Sequence, residues 1–237
     1  VKQGGTLIAH NASVRSLTDT EGIGNVKQIQ NSFDKSNNFN IDLQREIYAL
    51  SNEIDYESTL DNKVNTEISY PWETSKKKLS QKDLEDRDKW QSLFMPSGSF
   101  VGARTDQKHW LTFGSTEILP VLYSNYPVLM TGKNSQAAVR IGEIIDSPES
   151  NEVKALNWST IPAGKDINIR MSGLVWPEAA QRIANSAYIT RERLGSGQVI
   201  LFSGEPNFRG STLGTNRLWL NAVVYGAGLG TRKKLSL

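Results

Sequence analysis

The sequence predicts an α/β domain, and three observations carry that expectation. Residues 6–9, Thr-Leu-Ile-Ala, form a short apolar run directly after Gly4 and Gly5. Residues 187–193 and 198–202 are two β-rich runs separated by Gly195-Ser196-Gly197, a hairpin signature. Residues 215–225 set Leu218, Trp219, Ala222 and Val223 at helical spacing, with Gly226 in the capping position. Strands mixed with helices are the pattern of layered α/β domains.

Taken in order, Val1-Lys2-Gln3 before two glycines resembles the tail of a helix. The run 6–9 is then expected to be a buried strand inside a parallel sheet. A chain that opens this way, on Val1 and not Met, is expected to follow an earlier strand–helix unit of the same sheet. Residues 31–92 turn polar and charged, and we read them as an insertion with two helices. The first carries an apolar stripe of Leu43, Ile47, Leu50 and Ile54. The second starts at Ser80, whose spacing to Asp83 suggests a capping box, and runs through 84–94. Lys76-Lys77-Lys78 between them is a solvated charge run.

Beyond Pro96 the pattern returns to strands, at 98–104, 118–123, 126–130 and 137–145, the last with Val139 and Ile141 on one face. Residues 148–161 read as a polar loop, and 167–174 as a strand or an extended approach to a helix whose first turn holds Pro177. The tail, 231–237, is basic and expected to be loose.

Composition narrows the chemistry. A chain of 237 residues can bury a core, and 27 basic against 25 acidic groups give a net charge of +2, without the clustered excess that nucleic acid or a membrane surface requires. No apolar run approaches the roughly 20 residues needed to span a bilayer. There is no cysteine, so thiol chemistry is excluded, while the compartment stays open. The two histidines are isolated: His10 precedes Asn11-Ala12-Ser13 and His109 precedes Trp110-Leu111-Thr112, neither supplying the His-x-x-Glu spacing of a zinc site. By itself this chain is therefore not expected to be a zinc peptidase or a cysteine amidotransferase.

Other motifs are equally thin. No Gly-x-Ser-x-Gly elbow occurs. Gly22-Ile23-Gly24 and Gly226-Ala227-Gly228 lack the rest of a dinucleotide fingerprint, and no phosphate loop is present. The six tryptophans are scattered, so no stacking platform follows from their spacing. Ser203 and Glu205 stand where the run 198–202 ends, the place α/β sheets usually present ligands. Glu205-Pro206-Asn207-Phe208-Arg209-Gly210 is the tightest polar cluster, and Arg209 offers five donors for a carboxylate or several carbonyls. His10, Asn11, Ser203, Glu205, Asn207 and Arg209 are thus the candidate ligand or partner contacts. The competing reading makes each of them a strand terminator or a loop brace.

The ordered block 187–193, 195–202, 206–210 and 218–226, with 4–9, 98–101 and 109–114, resembles the C-terminal glutamine-amidotransferase-like domain of bacterial zinc carboxypeptidases of the M14 class. That resemblance implies a three-layer, flavodoxin-like sheet, made of residues 1–30 and 93–230, around the insertion at 31–92. It implies a non-catalytic accessory domain that packs, oligomerises or positions substrate beside an upstream peptidase domain of the same polypeptide, in a secreted or periplasmic enzyme. The zinc would belong to that upstream domain, leaving no cofactor here. The amidotransferase nucleophile, a cysteine, is missing. Two other classes stay open: a small-ligand or carbohydrate module using the strand ends near His10, Asn11, Ser203 and Glu205, and a hydrolase with a different nucleophile. A sheet lacking its early strands should also expose an edge, covered by the 31–92 segment or paired with another copy of the chain.

Overall fold

The computed structural model describes residues 1–18, 23–51, 80–156 and 158–231. They form a mixed α/β structure around one large, mostly antiparallel sheet. The strands are β1 (Thr6–His10), β2 (Lys27–Gln28), β3 (Ser99–Thr105), β4 (Ile118–Tyr123), β5 (Leu129–Met130), β6 (Ser135–Ile141), β7 (Glu143–Asp146), β8 (Lys154–Ala155), β9 (Thr160–Ile161), β10 (Lys165–Asn168), β11 (Arg170–Ser172), β12 (Ala187–Leu194) and β13 (Gly197–Phe202). The helices are α1 (Ala12–Thr18), α2 (Ser36–Ser51), α3 (Gln81–Ser92), α4 (Pro177–Ile183) and α5 (Leu213–Tyr225).

The spine of the sheet runs β1-β13-β12-β6-β3-β11, with β4 on β3 and β5 joining β12 to β2. The expected hairpin is its centre. Leu194 pairs with Gly197, leaving Gly195-Ser196 as a two-residue turn, and Gly195 takes the positive φ of 64° that such turns need. β1 is the one strand of the spine paired in parallel, with Thr6 opposite Gln198 and His10 opposite Phe202. It lies at the end of the spine, half-buried, and not inside a parallel sheet as the apolar run suggests. An apolar run of four residues looks alike at an edge and at a centre, which is why periodicity could not separate them.

Alternation along β1 and β13 sorts the core into two faces. Leu7, Ala9, Val199 and Leu201 meet Val14 and Leu17 of α1. Ile8, Ile200 and Phe202 meet Leu218, Trp219 and Ala222 of α5. This corner therefore has a helix on each side of the sheet, an arrangement compatible with three layers.

The polar segment reaches the core from both described ends. Phe33, Phe39, Leu43, Ile47 and Leu84 are buried in the main cluster, whereas Leu50 of the predicted stripe is exposed. Ile54 and the lysines at 76–78 lie outside the described residues, as do Gly22 and the tail beyond Thr231. At α3 the capping box forms, with Asp83 N–H donating to Ser80 Oγ at 3.2 Å and Ser80 N–H to Asp83 Oδ2 at 3.1 Å. Pro177 occupies the first turn of α4.

Two readings of the middle are corrected. The strand expected at 137–145 is broken at Gly142, whose φ is 98° and where a Cβ would lie 2.3 Å from the Ile167 side chain. The loop at 148–161 contains the small β8–β9 ladder. The outer edge of β1 has no strand partner among the described residues, and α2 and α3 pack elsewhere, against residues near β6, β9 and α4. No helix among the described residues is long and apolar enough to cross a membrane.

Candidate functional site

The parallel pair β1–β13 brings the expected strand ends together. Asn11 N–H donates to Phe202 O at 3.2 Å, and Asn11 adopts a φ of 53°, a left-handed conformation that asparagine tolerates. That bend turns the chain into α1, where Ser13 Oγ closes on His10 O at 2.6 Å. The His10 imidazole is exposed and meets the Trp219 ring edge-on at 5.4 Å, with Trp219 in turn 5.5 Å from Phe202.

Ser203 continues β13 into a different environment. Its N–H donates to Tyr188 O at 2.8 Å, and its hydroxyl is buried with no hydrogen-bond partner among the described residues. At Gly204 a Cβ would stand 2.9 Å from the Tyr126 ring and 3.2 Å from that of Tyr188, so only a hydrogen fits between them. Tyr123 stacks edge-on to Tyr126 at 5.8 Å. Burial pushes the Tyr188 and Tyr123 phenols far above the ordinary tyrosine value. Tyr126 is raised as well, by burial first and then by the Glu205 carboxylate beside it. These hydroxyls stay protonated across the physiological range.

In the rest of the predicted cluster Pro206 is buried while Asn207, Arg209 and Gly210 face solvent. Pro206 O accepts from Thr212 Oγ1 at 3.1 Å and from Thr215 Oγ1 at 2.6 Å, tying the loop to the start of α5. Asn207 and Arg209 are exposed, and the Arg209 guanidinium lies 5.1 Å from the centroid of its neighbour Phe208. Arg209 is left-handed, with φ 51°. The structure thus gathers His10 and Asn11 at one strand end, buries Ser203 among tyrosines, and leaves Asn207 and Arg209 on an outer loop. His109, by contrast, braces a turn: its Nδ1 accepts from Leu111 N–H at 3.1 Å.

The densest polar network is one that sequence reasoning missed. Arg140 on β6 donates from Nε to Glu46 Oε1 at 2.8 Å, from Nη2 to Glu46 Oε2 at 2.8 Å and Thr131 Oγ1 at 2.8 Å, and from Nη1 to Asn185 O at 3.0 Å. Arg104 on β3 donates to Gly142 O at 2.9 Å and Asn185 Oδ1 at 3.0 Å. Burial lowers the Arg104 value to about 10, with the charge of Arg140 adding to it and Glu46 opposing. Burial would raise the Glu46 carboxyl, but the charge and hydrogen bonds of Arg140, with the charge of Arg104, hold it below its ordinary value. Asn185, buried at φ 63°, is the hub of both arginines. The available signal was an arginine inside each of two strand-like runs, which only a tertiary partner explains.

Compared with known proteins, the chain matches no family model, no curated protein and no solved structure.

Proposed function

We propose that this chain is a non-catalytic accessory domain that docks through the outer face of α5 onto a zinc carboxypeptidase domain of the same polypeptide. The observation that carries it is a helix apolar on both sides. Leu218 and Ala222 of α5 are buried under the sheet, while Leu213, Leu220, Val223 and Val224 project outward, Leu220 with 54% and Val224 with 64% of its surface exposed. Positions 213, 217, 220 and 224 fall on one helical face, with Arg217 its charged member. Phe113 and Tyr225, in edge contact at 6.1 Å, extend it. A contiguous apolar surface of this kind marks an interaction site.

The edge strand β1, unpaired on its outer side among the described residues, is joined to the end of α5 by Thr6 Oγ1 donating to Gly226 O at 2.6 Å. In this reading the β1–β13 corner, with a helix on each side, belongs to a flavodoxin-like layering. The identity of the peptidase rests on the residue resemblance, and a periplasmic or secreted setting follows with it. A serine hydrolase has less support, because His10 turns to Trp219 while the Ser203 hydroxyl has no hydrogen-bonded base among the described residues.

The test mixes the chain with the catalytic domain of a bacterial zinc carboxypeptidase and follows complex formation by calorimetry. A saturable complex that Leu220→Glu with Val224→Lys abolishes is the expected result. Absence of binding, or peptide hydrolysis by this chain alone, overturns the proposal.

A further inference from the structure

A second surface feature points to a small ligand. A cleft of about 360 Å³ opens between β2, the start of α2 and the turn joining β5 to β6, within the size range of small-molecule sites. Lys27, Lys35 and Lys133 line it together with Asn25, Asn38 and Asn134, and Phe39 supplies an apolar wall. Asp42 is its one lining carboxylate. Neither Lys35 nor Lys133 forms an ion pair with a described residue.

The three lysines come from separate parts of the chain, and each part is fixed. Lys27 pairs in register with Met130 on β5, which sets β2 beside the following turn. That turn is closed by Gly132 N–H donating to Ser135 Oγ at 3.0 Å and by Ser135 N–H donating to Gly132 O at 3.0 Å. At Gly132 a Cβ would come 3.4 Å from the Phe39 ring, so the turn lies close against α2. Asn25 is held from behind by Glu192, whose carboxylate accepts the Asn25 N–H at 2.7 Å and its Nδ2 at 2.6 Å.

We propose that this cleft binds a small phosphate monoester through Lys27, Lys35 and Lys133. Lysine ammonium groups suit a phosphate as compact point charges, and asparagine amides add neutral donors. The neighbouring cleft limits what else the ligand carries. It shares Asp42, Gly132 and Lys133 with the first and adds Glu46 and Asp106, with Arg140 already engaged by Glu46. A ligand body extending past Asp42 and Lys133 into that cleft therefore meets carboxylates, which favours a neutral or amine-bearing body and disfavours a polyanion. The overall charge of +2 agrees with a local anion site and not a nucleic-acid surface.

The experiment is calorimetry on the full chain, in phosphate-free buffer, with phosphoethanolamine, inorganic phosphate and heparin as probes. Phosphoethanolamine is expected to bind saturably with one site, more tightly than inorganic phosphate. Lys35→Gln and Lys133→Gln should each weaken it about tenfold, and Asn134→Asp should weaken it similarly by placing a carboxylate in the cleft. Lys82→Gln on α3 should leave it unchanged. These side chains are exposed, and circular dichroism of each variant checks that it folds. Failure of both phosphate compounds to bind, or binding that survives the Lys35→Gln, Lys133→Gln double change, overturns the site. Tighter binding of heparin than of phosphoethanolamine overturns the ligand class.

Discussion

Asp88 and Arg182 meet with both side chains buried, Arg182 Nε donating to Asp88 Oδ1 at 2.7 Å and Nη2 to Oδ2 at 3.3 Å. The pair joins α3 to α4, and so fastens the end of the polar segment to the helix that leads into β12. Removing one partner strands a buried charge, at a cost of about 3–5 kcal/mol, whereas replacing both with apolar residues is often near neutral. Asp88→Asn or Arg182→Met should therefore lower the urea midpoint sharply, and Asp88→Leu with Arg182→Met should restore most of it. Equal losses in the single and double variants would refute the coupling.

The Glu46–Arg140 contact predicts a response to acid. The folded carboxyl sits below its unfolded value, so its contribution is full above pH 4.5 and is lost as pH falls through the lower folded value. The melting temperature of the wild type should exceed that of Glu46→Gln at pH 7, and the two should converge near the bottom of that window. A gap that stays constant with pH would count against it.

His109 predicts a second acid response, nearer neutrality. Burial holds its imidazole below the ordinary value, the charge of Arg191 adding to this, while Asp106 and a hydrogen bond with Gln136 oppose it. The unfolded chain then takes up a proton first as pH falls through 6.5, and stability declines until the folded value is reached. Each unit of difference is worth about 1.4 kcal/mol. Replacing His109 with Asn should flatten the fall in melting temperature between about pH 7.5 and 5.5.

Gly204 tests the tyrosine enclosure. Gly204→Ala drives a methyl into Tyr126 and Tyr188, and overpacking of this kind costs about 1–3 kcal/mol. Chemical denaturation measures the loss, and Tyr126→Leu in the same background should recover part of it. Unchanged stability in Gly204→Ala would show that the rings move aside freely.

Much of this architecture was legible where short-range chemistry decides it. The Gly195-Ser196-Gly197 spacing, the Ser80–Asp83 cap and Pro177 each act within a few residues, and the structure forms a hairpin, a capped helix and a helix start there. Leu50 shows the limit, since periodicity placed it on the stripe of Leu43 and Ile47 but not how far the core extends along α2. At the candidate sites, Asn11 and Ser203 stood at strand ends as expected, because β1 and β13 terminate together. Nothing local announced that Asn185 would serve both Arg104 and Arg140, or that Lys27, Lys35 and Lys133 would line one cleft. Those groupings arise from sheet registers that bring distant segments side by side.

The pairing of β1 also has a kinetic side. Among the described strands Thr6 to His10 pair only with Gln198 to Phe202, so β1 must wait for a partner made far later in the chain. Closing so large a loop carries an entropic penalty that must be met before any contact offsets it, which slows folding. Docking of β1 is thus expected to be a late event, following the local β12–β13 hairpin. Throughout synthesis on the ribosome its edge stays available to other chains, a period in which a chaperone would matter most.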